Sequence, residues 1–158
     1  MGLYARYVLP RLINCACNTT LEREQRAKVV PAAHGAVLEL GIGSGLNLPH
    51  YDAARVTRVI GVDPSDGGWR LARERVAAAA FPVEHRCADL TALDLPPASV
   101  DTVVVTWSLC TIPDPAAVLR AAAPLLRPGG ELIYCEHGRA PDAGPARWQR
   151  RIEPLWRR

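Results

Sequence analysis

Lysine is almost absent from this chain: Lys28 is the only one, and arginine supplies the rest of the cationic side chains behind a net charge of +3. With alanine and proline abundant, that imbalance reads as coding bias. No basic stripe follows one face, apart from the arginine-rich end at 146–158, so no nucleic-acid partner is expected. Long apolar runs are missing too. None approaches the roughly 18 residues of a membrane-crossing helix. The five cysteines (Cys15, Cys17, Cys87, Cys110, Cys135) are scattered, and Cys15-Ala16-Cys17 lacks the two-residue gap and second pair of a zinc site. His34, His50, His85 and His137 are equally dispersed, and no metal is expected. No secretory leader is visible, which leads to the expectation of a cytoplasmic protein with free thiols. There are no repeats or low-complexity linkers, and 158 residues suffice for one hydrophobic core.

What the chain does have is a short apolar strand that runs straight into alternate glycines: Val37-Leu38-Glu39-Leu40-Gly41-Ile42-Gly43-Ser44-Gly45-Leu46-Asn47. Glycines there let the chain turn sharply and bring bare backbone against a ligand, with N–H groups facing an anion. A dinucleotide fingerprint would need glycine at position 46, where Leu46 stands. A second strand, Val59-Ile60-Gly61-Val62, ends in Asp63, the distance at which an acid meets a ribose diol.

Around this centre, strands alternate with helices, the pattern of a parallel sheet covered on both faces. Residues 2–33 read as two helical segments broken near Asn18-Thr19, with Thr20 a possible cap for the second. A short helix is expected over Leu46–Ala54, interrupted by Pro49. Another should run from a Ser65 or Asp66 cap to Ala80, weakened by Gly67-Gly68. Val83–Arg86 is a third strand, and Val100–Thr106 a central one, apolar on both faces. Asp114-Pro115 opens a helix over Ala116–Leu126 that Pro124 must kink or end early. Pro128-Gly129-Gly130 reads as a tight turn before a fifth strand, Glu131–Glu136. A loop over Gly138–Pro145 and a helical end at Ala146–Arg158 follow.

Glu39–Gly45, Gly61-Val62-Asp63-Pro64-Ser65, Asp89, Ser99-Val100-Asp101, Ile112-Pro113-Asp114-Pro115 and Leu126-Arg127-Pro128-Gly129-Gly130 resemble, in order, the motifs of class I S-adenosylmethionine-dependent methyltransferases of the type 11 kind. The resemblance covers about Ala36 to His137. Tyr7-Val8-Leu9-Pro10-Arg11, Gly43–Pro49, Thr106-Trp107-Ser108-Leu109-Cys110 and Glu136-His137-Gly138 look like bacterial relatives of methyltransferase-like protein 7. Members of that branch methylate small thiols, and some are membrane-associated.

The resemblance implies an α/β fold: a Rossmann-like, doubly wound parallel sheet of five strands with helices on both faces. An N-terminal helical cap (1–35) would precede the donor-binding core (36–137) and an incomplete C-terminal loop and basic helix (138–158). Residues 138–158 offer nothing for the family's usual C-terminal antiparallel strand pair, which would leave the fifth strand as an edge. The cofactor would be S-adenosyl-L-methionine. Gly41, Gly43 and Gly45 would pack backbone against its methionine part, and Glu39 would orient the loop or reach its amino group. Asn47, Pro64 and Thr106 would complete the cradle. Asp63 would accept from the ribose hydroxyls, and Asp89 from the adenine amine with Leu90 against the ring. Tyr4, Tyr7 and Asn14 are candidate acceptor-pocket residues.

Two residues carry the catalytic expectation. Trp107 could wall the methyl pocket and turn its ring to the sulfonium, or pack against the N-terminal helix. His137 could take a proton from a thiol or amine acceptor near neutral pH. Cys110 has no adjacent base or cation to activate it and is expected to be a buried thiol. The expected partner is a small-molecule methyl acceptor, a thiol by branch resemblance. The N-terminal stretch, short, mixed and basic, could also touch a bilayer weakly. The alternatives are a quinone or other small-molecule C- or O-methyltransferase, a donor-binding domain without catalysis, and, weakest because of Leu46, a nucleotide-dependent oxidoreductase. Oligomeric state is left open.

Overall fold

The computed structural model describes residues 4–138 and 140–156. A π-helical turn over Tyr4–Val8 leads into α1 (Leu9–Ala16), and α2 (Thr20–Val29) follows. The cap of α2 is Thr19, one residue before the expected Thr20, and its hydroxyl bonds the carboxylate of Glu22. None of the residues of α1 is buried, and Leu9, Leu12 and Ile13 stand 39%, 54% and 53% exposed. Among the described residues no helix is long and apolar enough to cross a membrane.

Five strands follow: β1 (Gly35–Leu40), β2 (Val56–Asp63), β3 (Val83–Cys87), β4 (Val100–Thr106) and β5 (Leu126–Cys135). All pair in parallel, in the order β3-β2-β1-β4-β5. That order reverses between β1 and β4, which opens a crevice outside the carboxyl ends of the strands. Side-chain alternation divides the core into two layers. Leu38, Leu40, Ile60, Val62, Val103 and Val105 face α5 (Pro115–Ala122), where Val118 and Ala122 cover them. Val37, Val59 and Val104 face the other side, packed with Val30, Trp69 and Val76. The sheet is therefore wound on both faces, as expected.

Between the strands, local expectation gives way in three places. The stretch after the glycine loop forms only one 3₁₀ turn, Leu48–His50, because Pro49 removes a donor and Tyr51 is already extended. The helix expected from Asp66 to Ala80 is two pieces, α3 (Asp66–Trp69), capped by the Ser65 hydroxyl at 3.1 Å from the Gly67 N–H, and α4 (Arg73–Ala78). The reason is tertiary: a Cβ on Gly68 would fall 2.7–3.1 Å from the backbone of Gly43, so α3 rests backbone to backbone on the glycine loop. As expected, Pro124 ends its helix early: α5 stops at Ala122, and a 3₁₀ turn carries the chain to Leu125. Pro128-Gly129-Gly130 is not a turn before β5 but a bulge inside it. Val100 pairs with Leu126 and Thr102 with Glu131, so the intervening residues are looped out.

β5 is a sheet edge, with Leu132 and Tyr134 44% and 66% exposed. The final helix, α6, spans Ala143–Trp156, three residues earlier than expected; Arg157 and Arg158 lie outside the described residues.

Candidate active site

A cavity of about 840 Å³ opens at the carboxyl ends of β1, β2, β3 and β4. Its floor is the glycine loop. Gly41 adopts φ +74°, and a Cβ there would collide with the Ser108 side chain. Gly43 adopts φ +51°, and a Cβ there would meet only the Gly41 carbonyl oxygen, 3.9 Å away, so a side chain would project without obstruction beside the cavity. The two glycines should therefore fail differently. Gly41→Ala is expected to lower stability by about 2–5 kcal/mol through backbone strain and overpacking. Gly43→Ala should cost only about 1–2 kcal/mol of stability, from the left-handed backbone alone, yet impair ligand binding. Thermal melts with and without nucleoside check both; a Gly43→Ala chain that binds normally would remove the loop from the site.

Behind the floor lies a buried polar chain. Glu39, 2% exposed, accepts from Asn47 Nδ2 at 2.9 Å and from the Tyr51 hydroxyl at 2.8 Å. Burial pushes its carboxyl up to about 7, against the lowering effect of those two hydrogen bonds and of Arg26. Asn47 also donates to Thr106 Oγ1 at 3.0 Å and accepts from Arg26 Nε at 3.1 Å. Arg26, from α2, is 3% exposed and donates through Nη1 to the Cys17 carbonyl at 2.7 Å, closing the end of α1 over the cavity. Its guanidinium lies 4.3 Å over the Trp107 ring.

Asp63 ends β2. Its Oδ2 accepts the Gly43 N–H at 3.1 Å and its Oδ1 the Ser65 N–H at 2.9 Å. Burial pushes its carboxyl up, opposed by these two bonds. Asp89 is exposed and accepts from the Thr91 N–H and hydroxyl, both at 2.7 Å, which hold its carboxyl below the usual range. The adjacent Leu90 is buried.

Trp107 lies in the left-handed region at φ +48°, a conformation that costs a non-glycine residue about 1–3 kcal/mol. The surroundings hold it there. Its N–H donates to the Cys135 carbonyl at 2.9 Å, and the next two N–H groups, of Ser108 and Leu109, donate to Glu136 Oε1 at 2.8 and 3.0 Å.

Of the residues singled out from the sequence, Glu39, Gly41, Gly43, Asn47, Asp63, Pro64, Asp89, Leu90, Thr106 and Trp107 all line the one cavity, as does Asn14, which accepts from the Ser44 hydroxyl at 2.7 Å. Gly45 does not; it is packed against Leu48 and Ala72 and shapes the loop from beneath. His137 does not line it either. Glu136 turns inward to clamp the β4 loop, and His137, next along, is exposed with its ring 6.4 Å from that of Trp107. Tyr4 and Tyr7 are also outside the lining. Burial pushes the Cys110 thiol up, in keeping with a resting thiol. One face of the Trp107 ring is already taken by Arg26, which narrows its expected role toward the sulfonium. Arg26 and Tyr51 are the members that no sequence motif points to.

This cavity has room and acceptors for a nucleoside, and comparison with known proteins shows the family. The type 11 methyltransferase domain matches residues 38–134. The chain belongs to that methyltransferase family. It is 40% identical over 125 residues to a phosphatidylethanolamine N-methyltransferase of Cereibacter sphaeroides, covering 78% of this chain and 60% of that protein. It is 33% identical over 126 residues to the human thiol S-methyltransferase TMT1B, covering 77% and 51%. A solved S-adenosylmethionine-dependent methyltransferase from Mesorhizobium loti superposes with a TM-score of 0.56 at 25% identity, covering 74% of this chain and 53% of that one. The chain thus spans about half the length of the curated relatives it matches. Membership in this methyltransferase family implies S-adenosylmethionine as cofactor, and the bare Gly43 position, the Asp63 carboxylate and the buried Glu39 suit it.

Proposed function

We propose that this chain transfers a methyl group from S-adenosylmethionine to a small, mostly apolar acceptor, with a thiol as the preferred class. The observation that carries the donor half is the gathering of Glu39, Gly43, Asp63, Asp89 and Thr106 around one cavity at the strand ends. The donor supplies an activated methyl group with its own leaving group, so the protein's work is proximity, alignment and exclusion of water. Asp63 and Asp89 accept hydrogen bonds from the nucleoside. The backbone at Gly41 and Gly43 admits the amino-acid part, and α1 and α2 cover it through Asn14, Cys17 and Arg26. Trp107, held by Glu136 and by the Cys135 carbonyl, walls the side from which the acceptor arrives. Among the described residues no histidine, lysine or tyrosine lines the cavity, which suits an acceptor that ionises readily, as thiols do near their ordinary value of about 8.5.

Identity to the human thiol S-methyltransferase supports the thiol, and identity to the phosphatidylethanolamine enzyme supports the rival amine. Labelled S-adenosylmethionine offered with alkyl and aryl thiols, simple phenols or phosphatidylethanolamine vesicles separates them. Methylated thiol is the expected product. Label confined to the lipid would overturn the thiol reading, and tight donor binding without any product would make the chain a binding module.

A further inference from the structure

The loop after β4 is held in a shape that its own residues disfavour. Trp107 sits at φ +48°, a left-handed backbone that a bulky side chain resists. Its N–H donates to the Cys135 carbonyl at 2.9 Å, and the Ser108 and Leu109 N–H groups both donate to Glu136 Oε1, at 2.8 and 3.0 Å. The end of β5 therefore dictates the backbone of Trp107. Glu136 is left only half satisfied by this, because its Oε2 is buried with no hydrogen-bond partner among the described residues. A disfavoured backbone and an unsatisfied carboxylate oxygen thus meet at one place, and such departures from local stability gather at functional positions. The ring itself is fixed on two further sides. The Arg26 guanidinium lies 4.3 Å over one face, and the His137 ring stands 6.4 Å away at 64°. Trp107 and Ser108 line the cavity, whereas Glu136 does not.

We propose that Glu136 is a positioning residue for methyl transfer: it holds Trp107 in the conformer whose ring walls the acceptor's side of the cavity, and so sets acceptor affinity without touching acceptor or donor. This inference rests on the thiol-methylation reading above and adds to it the residue on which the acceptor wall depends. Without the clamp, the backbone should relax out of the left-handed region. The competent conformer should then be populated about 5-fold to 150-fold less, the equivalent of about 1–3 kcal/mol of strain. A site that is competent only part of the time binds with an apparent affinity lowered by that same fraction. Saturating acceptor draws the conformer back, so turnover at saturation should survive.

The test is steady-state methylation of thiophenol by the full chain at saturating S-adenosylmethionine, with calorimetric titration of S-adenosylhomocysteine alongside. Glu136→Ala should raise KM for thiophenol about 5-fold to 150-fold while kcat stays within about twofold and nucleoside affinity within about threefold. A merely structural role would instead lower kcat, through loss of active protein, and leave KM unmoved. Glu136→Asp, which withdraws the carboxylate by one methylene, should raise KM in the same direction even where the alanine variant folds poorly. Glu136→Gln, which keeps an acceptor oxygen, should recover most of the wild-type KM. Trp107→Gly supplies the internal control, since glycine takes the left-handed backbone without strain. Adding Glu136→Ala to it should change KM by less than about twofold. An unchanged KM in both Glu136→Ala and Glu136→Asp would overturn the assignment. So would an equal KM effect in the Trp107→Gly background, or a fall in nucleoside affinity that matches the rise in KM, which would make the clamp part of the donor cradle. A wild type that bound the nucleoside yet methylated no thiophenol would overturn the thiol reading itself and this inference with it.

Discussion

Replacing Asp63 with alanine should abolish the stabilisation that S-adenosylhomocysteine confers on this chain. A carboxylate offers about four acceptor positions. In the free protein the Gly43 and Ser65 N–H groups take one on each oxygen, at 3.1 and 2.9 Å. The remaining two match a vicinal diol. Hydrogen bonds to a charged acceptor are worth roughly 1.5–3 kcal/mol each, so losing both weakens binding by about 10²-fold to 10⁴-fold. The lower end is expected, because burial already works against the ionised form of Asp63 and its removal relieves that cost.

At nucleoside concentrations about 100 times the wild-type dissociation constant, the wild-type chain should gain about 2.7 kcal/mol and the variant almost nothing. The free variant should melt only slightly lower than the wild type, since the two N–H groups it orphans lie at a partly exposed strand end. Asp63→Asn is the informative companion. It keeps one acceptor oxygen but presents an amide N–H₂ to the diol, so its affinity should fall between the two. A titration in which Asp63→Ala binds within about threefold of wild type would place the ribose elsewhere. A shift with NAD equal to that with S-adenosylhomocysteine would reopen the oxidoreductase reading.

The residues that make this site legible are those whose role is written in backbone terms. Val100–Thr106 has to be a central strand because three consecutive valines need apolar cover on both faces, and Val103, Val104 and Val105 are buried to 1% or less. Alternate glycines after β1 can serve only a loop with unusual dihedrals, and Gly41, Gly43 and Gly45 all have positive φ. An acid at the end of β2 follows from the strand's length. What local chemistry does not reveal is what touches what. Gly67-Gly68 reads as a weak helix start, and only the proximity of α3 to the Gly43 backbone explains two glycines there. Pro128-Gly129-Gly130 reads as a turn until Leu126 is seen already paired with Val100. Arg26 lies in a run of polar helix residues, where a buried arginine and a solvated one look alike. His137 stands outside the cavity for a simpler reason: after β5, adjacent side chains point apart, and Glu136 takes the inward direction.

Glu39 is the residue whose chemistry should be most visible in bulk measurements. Its folded carboxyl titrates at about 7 against an ordinary value of 4.5, with burial as the main cause. The folded state therefore binds this proton more tightly than the unfolded chain. The stability that Glu39 contributes is fully present below about pH 4.5 and is lost as pH rises through about 7, a change on the order of 3 kcal/mol. Glu39→Gln removes the titration. Its stability relative to wild type should rise across that window and level off above it, as read from denaturant melts at several pH values. The constant offset from replacing a carboxylate between Asn47 and Tyr51 does not matter, since only the pH dependence of the difference is read. A difference that stays flat would mean that Glu39 is already ionised when buried, its charge carried by Arg26 and the Tyr51 hydroxyl.

Binding should reverse the same equilibrium. An ammonium brought beside Glu39 favours the carboxylate, so S-adenosylhomocysteine should release a proton on binding near pH 6–7 and bind more tightly as pH rises toward 8. Calorimetry in buffers of different ionisation enthalpy counts that proton directly, and Glu39→Gln should release none. Binding of S-adenosylhomocysteine without proton release would make Glu39 a support for Asn47 and Tyr51 alone.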